Sequence, residues 1–259
     1  MRTLLLSTLC LALVGTLPSC RSDGPSADPS PVAPQPVIEL DHVYTYAPRG
    51  VPEEEVVDAL RSAGLRVDEE RNDFPDGVFG RYAFFGTTYL EILWVDADAT
   101  ADESTLGRAG WETSGSSPFG VGFRRREGAP DALPFPSRAE SAEWMEPGSE
   151  MRVLNSESET LTPALFVVPR YMAMTSWGDG ELVGEVPPKQ REIELTGVRI
   201  ETQPECDPRP HEGLVGTGVV IGKGDGPVME LTFGPGASSK VKDLRPTLPI
   251  VLRMPASAR

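Results

Sequence analysis

The 259-residue chain carries 39 acidic against 24 basic side chains, a formal net charge of −15, with only two histidines and three cysteines. That excess of negative charge repels polyanions, which excludes a nucleic-acid partner and electrostatic docking on anionic lipid. Cys10 and Cys20 fall in the first twenty residues, so Cys206 is the lone thiol of the remainder and no disulfide framework is expected there.

The first element, residues 1–19, reads as an export signal. Arg2 is a short basic start, and Thr3 to Leu17 is a Leu-rich apolar run too short to span a bilayer comfortably. It ends in Leu17-Pro18-Ser19-Cys20, which resembles a bacterial lipobox, although Pro18 stands where a small residue is usual. Cys20 is therefore the expected lipidation site; the alternative is an ordinary cleaved signal with an incidental cysteine. The chain is expected to be exported and held at the cell envelope through a lipid anchor. Residues 20–37 form a tether, since Arg21 to Val37 holds five prolines among Ser, Ala, Asp and Gly with little to pack.

The pattern changes at Ile38. Ile38 to Tyr46 alternates as a strand, with Leu40, His42, Tyr44 and Tyr46 on one face. Pro52, three glutamates and Gly64 bracket a helix whose apolar face is Val56, Val57, Leu60 and Ala63. Leu65 to Val67 reads as a short strand, followed by an acidic loop. Tyr82 to Phe85 is a strand, Gly86-Thr87 a tight turn, and Tyr89 to Val95 another strand with Glu91 at its centre. A carboxylate among apolar residues is costly to bury without a partner, so Glu91 marks a candidate site. This stretch gives the order β-α-β-β-β.

Further on, Leu106 to Thr113 reads as a short helix. Ser117 to Arg124 is a strand whose glycines permit close approach of backbone or ligand. Met151 to Leu154 and Ala164 to Val168 are additional short strands. Near the end, Glu194 to Ile200, Val215 to Ile221 and Val228 to Phe233 repeat the first order faintly, with a hairpin turn at Gly222 to Gly226. In that register Glu230 repeats Glu91, and Gly197 stands where His42 would recur. His211 and Cys206 read as loop residues, and Arg124, Arg125 and Arg126 as solvated charge or an attractor for an anionic ligand.

Taken together, Leu40-Asp41-His42-Val43, Gly86 with Tyr89-Leu90-Glu91-Ile92-Leu93-Trp94-Val95, and Ser117-Pro118-Phe119-Gly120-Val121 resemble the vicinal oxygen chelate superfamily. Within it, the chain looks most like the glyoxalase-like domain proteins. The resemblance implies an α+β fold in which paired βαβββ modules form curved mixed sheets around a pocket. Residues 38–126 would be the first module, 127–190 a strand-rich insert, and 191–259 a second, degenerate module with its tail.

The resemblance also implies a site. His42 and Glu91 match metal-ligand positions of the first module and Glu230 one of the second, while the fourth falls on Gly197. One divalent ion (Zn, Mn, Ni or Fe) on His42, Glu91 and Glu230 is one expectation, with the two glutamates as catalytic proton carriers. The other is a metal-free pocket of His42, Tyr44, Tyr46, Tyr89 and Glu91 that binds a small molecule without catalysis. In the first case the chain is a lyase or isomerase acting on a carbonyl or enediolate substrate. In the second it is an envelope-anchored binding module, with His42 a pocket hydrogen-bonder or a satisfied core imidazole.

Overall fold

A computed structural model describes residues 36–74, 76–133, 135–142, 145–154, 160–176, 193–203, 213–234 and 239–255. The signal, Cys20, nearly all of the tether, Cys206 and His211 lie outside the described residues. No helix among the described residues is long and apolar enough to cross a membrane.

The first βαβββ unit folds as its alternation requires. It comprises β1 (Ile38–Tyr46), α1 (Glu53–Ser62), β2 (Asn72–Asp73), β3 (Val78–Phe85) and β4 (Thr88–Val95). β1 pairs in parallel with β4, and β3 pairs antiparallel with β4. Leu65 and Val67 are buried, but Leu65 to Val67 forms no strand. Leu65 N–H closes the helix end on the Leu60 carbonyl, and Asp68 N–H makes a single bond to the Tyr82 carbonyl. The helix expected at 106–113 is two short ones, α2 (Glu103–Ala109) and α3 (Trp111–Ser114), with Asp102 capping α2 through Thr105 N–H at 2.7 Å.

The second half of the sheet is not where the repeat places it. β5 (Phe119–Arg125), β6 (Ser137–Glu140), β7 (Met151–Leu154) and β8 (Ala164–Val167) extend the sheet to the order β2-β3-β4-β1-β5-β8-β7-β6. β5 runs antiparallel to β1 and parallel to β8, while β6 and β8 flank β7 antiparallel. This repeats the pairing of the first unit across the β1–β5 seam. The stretch read as an insert is therefore the second module, and its helix is missing. Residues 126–136, which should have formed it, carry Gly128, Pro130, Pro134 and Pro136, and proline removes the donors and the space an α-helix needs.

The segment expected to be the second module is a separate five-stranded sheet. Its strands are β9 (Leu195–Thr202), β10 (Val219–Lys223), β11 (Val228–Phe233), β12 (Ser239–Asp243) and β13 (Ile250–Pro255), in the order β10-β9-β11-β13-β12. β9 and β11, matched by sequence to the first and fourth strands of a module, pair antiparallel, whereas β1 and β4 pair in parallel. No hairpin forms across Gly222 to Gly226 either, because β10 and β11 lie on opposite sides of β9.

One core joins these parts. Val43 of β1, Leu90 and Ile92 of β4, and Phe119, Val121 and Phe123 of β5 bury themselves against Val56, Val57 and Leu60 of α1. The same cluster includes Ile200, Met229, Leu231, Ile250 and Leu252 of the five-stranded sheet. Phe85 meets Phe233 edge to face, ring centroids 4.8 Å apart. The five-stranded sheet thus joins the same core as α1 on the back of the eight-stranded sheet, meeting it at Phe85 of β3. The opposite face of the eight-stranded sheet is left to line a cavity.

Candidate functional site

The site begins with a break in the alternation of β1. Leu40 pairs with Phe123 and His42 with Gly122, so Asp41 is an extra residue, a β-bulge. Strict alternation would set Asp41 and His42 on opposite faces. The bulge lets the Asp41 carboxylate reach His42 Nδ1 at 3.0 Å, with Asp41 fully buried and His42 nearly so. The second carboxylate oxygen of Asp41 accepts from Met174 N–H at 3.0 Å and lies 3.5 Å from Arg124 Nη1. Asp41 thereby orients the imidazole and ties down the segment of two 3-10 turns, Arg170–Met172 and Met174–Ser176, that follows β8.

Two glycines make room for the rings. Opposite His42 stands Gly122, where a Cβ would lie 2.2 Å from His42 Cε1. Opposite Tyr44 stands Gly120, where it would lie 2.0 Å from a Tyr44 ring carbon. Both rings therefore lie across the seam on bare backbone. His42 also stacks on Tyr89, centroids 4.5 Å apart and planes 12° from parallel, and Phe166 of β8 closes on it at 5.3 Å.

Glu91 lies diagonally from His42 on the parallel neighbour β4, since Tyr44 is its register partner and Tyr89 is that of His42. It is 9% exposed and accepts a hydrogen bond from Tyr82 on β3. Burial raises its pKa, opposed by the nearby His42 and by the Tyr82 hydroxyl. The phenols of Tyr44, Tyr46, Tyr82 and Tyr89 are all raised, first by burial and then, among other influences, by the Glu91 charge, so they stay neutral donors. Together these side chains line a cavity of about 620 Å³, with Leu93, Phe166 and Arg108 among its other walls. Arg108 is buried, and its Nη1 donates to the carbonyls of Ser117 and Thr162 at 2.9 and 3.0 Å.

The structure brings together His42, Tyr44, Tyr46, Tyr89 and Glu91 as the alternation of β1 and β4 requires, and it excludes Glu230. Met229, Leu231 and Phe233 of β11 point into the shared core, so Glu230 points outward from the five-stranded sheet and pairs there with Arg253 at 2.6 Å. The core separates it from the cavity. A divalent ion does not fit the donors that remain. The cavity-facing positions of β5 and β8 are Gly120, Gly122, Ala164 and Phe166, and among the described residues no three His, Cys, Asp or Glu converge. Arg124, Arg125 and Arg126 are structural: they bond to the carbonyls of Thr87, Pro130 and Pro36 respectively.

Sequence reasoning missed Asp41, Tyr82, Arg108 and Phe166. Asp41 was hidden by the bulge, and the signal for it was its place beside a histidine on a strand. Tyr82 had a legible one, since it shares a strand face with Gly80 and Phe84 beside Glu91.

No family model and no curated protein matches the chain. Among solved structures it is similar to a hypothetical protein from Staphylococcus aureus, with a TM-score of 0.50 and 9% identity over 84% of this chain and 99% of that one. It is also similar to a variant of Streptomyces coelicolor methylmalonyl-CoA epimerase in complex with 2-nitronate-propionyl-CoA. There the TM-score is 0.32 and the identity 14%, over 50% of this chain and 95% of that one. A variant of 4-hydroxymandelate synthase from Streptomyces coelicolor gives 0.36 and 10%, over 85% and 63%. At these identities the likenesses concern the fold alone.

Two outcomes follow for the isolated protein. Gly122→Ala forces the His42 ring off its seat and costs about 1–3 kcal/mol in urea unfolding, as overpacked sites do. Because the folded-state pKa of Glu91 is raised, its ionisation disfavours the folded state. That penalty is absent below the ordinary glutamate value of about 4.3, where both states are protonated, and grows as pH rises through the raised value. Glu91→Gln should therefore melt above the wild type near neutral pH, and the difference should vanish toward about pH 4. An equal difference at both pH values contradicts this.

Proposed function

We propose that the chain is an envelope-anchored binding protein that holds a small molecule in the cavity on the free face of its eight-stranded sheet. The observation that carries this reading is the composition of that cavity. At about 620 Å³ it has the size of a small-molecule site, with apolar and aromatic walls and a few buried polar groups, Asp41–His42 and Glu91–Tyr82, set at one place. The envelope location is supported by the N-terminal signal and by Cys20, at the end of a Pro-rich tether.

Metal-assisted lyase or isomerase chemistry is the weaker reading, because Glu230 is on the far side of the core and, among the described residues, no group of three His, Cys, Asp or Glu could hold an ion. What the site offers instead is orientation and hydrogen bonding. His42 presents a ring fixed by Asp41, Tyr89 and the bare backbone at Gly122, and Glu91 presents an acceptor backed by Tyr82.

The binding reading is tested by a thermal-shift screen of small aromatic and aliphatic compounds against the mature chain. Compounds that stabilise it should lose at least about tenfold in affinity in Ala164→Trp, which fills the cavity from β8 and leaves His42 and Glu91 unsubstituted. Hits that bind the variant unchanged, or no hits, contradict the assignment. The anchor has its own readout: the wild type should fractionate with membranes and take up an acyl label, and Cys20→Ala should do neither.

A further inference from the structure

Glu91 is a buried carboxylate in the cavity wall with no ion-pair partner among the described residues. Glu91 sits mid-strand beside Tyr82, Tyr89 and Tyr44, and a Cβ on Gly80 of β3 would stand 3.3 Å from its Oε1. Its partners are the Tyr82 hydroxyl and, through space, His42; it forms no ion pair with any described residue. The other charges lining the cavity have visible employment. Arg138 pairs with Glu140 on β6, and Arg108 bonds to two backbone carbonyls that bind α2 to the loops at Ser117 and Thr162. Asp41, just behind the wall, is shared among His42, Met174 N–H and Arg124. A buried carboxylate without a counter-charge is costly, and it is relieved either by a proton or by a cation.

The rings around Glu91 favour a cation. Phenol faces carry negative potential, and an ammonium desolvated among several of them is held by their quadrupoles as well as by the carboxylate. The rings are fixed before any ligand arrives: Tyr82 meets Tyr89 edge to face at 5.6 Å, and Tyr44 meets Tyr46 likewise at 5.9 Å. Such a site needs no reorganisation to receive a charge.

Resting on the cavity being a binding site, we infer that its ligand is a small organic cation, an ammonium group on an aromatic or aliphatic body. The ammonium lies beside Glu91 in the aromatic wall, and the body extends along Leu93 and Phe166. His42, held by Asp41, borders the ammonium and sets how closely it approaches Glu91.

The test uses three probes that share one aromatic body: phenethylammonium, phenethyl alcohol and phenylacetate, titrated calorimetrically into the mature chain near neutral pH. The cation should bind at least about tenfold tighter than the alcohol, and phenylacetate weakest. In Glu91→Gln the cation's advantage should collapse while the alcohol still binds. Equal affinity of cation and alcohol overturns this inference and leaves the binding reading standing. Phenylacetate binding tightest also overturns it, in favour of recognition through Arg108. Binding of none of the three, at concentrations where screen hits do bind, overturns it as well, and absence of hits in that screen removes the binding reading itself.

Discussion

The seam between β1 and β5 governs the rest of the molecule. It joins the two halves of the eight-stranded sheet, and at its centre each strand gives up something. β5 gives up side chains at Gly120 and Gly122, and β1 gives up regular pairing at Asp41. The glycines alone would weaken a strand interior. Here the rings of Tyr44 and His42 lie over them and restore the buried contact that the missing side chains would have made. The bulge alone would leave an unpaired residue. Here that residue is the carboxylate that orients His42 and captures Met174 N–H from the segment after β8. One irregularity therefore fixes the floor of the cavity and one of its walls together.

The two faces of that sheet have been put to different uses. The back is closed by α1 behind one half and by the five-stranded sheet beside it, with Phe85 and Phe233 in contact between them. With its stability drawn from the back, the front can carry a concave aromatic surface with buried polar groups, which a core-forming face could not tolerate.

The first half of the fold was legible because its signals are local: strand alternation in β1 and β4, and a helix bracketed by Pro52 and Gly64. The same alternation placed His42, Tyr44, Tyr46, Tyr89 and Glu91 on one wall. The second half was not legible, because prolines replace its helix and glycines stand where its polar residues would recur. The resemblance of Met229-Glu230-Leu231-Thr232 to Leu90-Glu91-Ile92-Leu93 reflects only that both strands send alternate residues into one core, as any strand packed on a core does. The two Glu residues differ in which way they face: Glu91 into the cavity with its strand buried on both sides, Glu230 out from a sheet with one face to solvent. Pairing sense, parallel for β1 with β4 and antiparallel for β9 with β11, is a long-range property that no local pattern carries.

The account stands on Asp41 holding His42 by its Nδ1 at the floor of the cavity. With only two histidines in the chain, long-range proton–nitrogen NMR of the imidazoles reads this directly. The wild type should show a protonated Nδ1 on His42, and Asp41→Asn should change the protonation pattern of that ring while leaving His211 as it was. A neutral His42 protonated on Nε2, with a spectrum indifferent to Asp41→Asn, would contradict it.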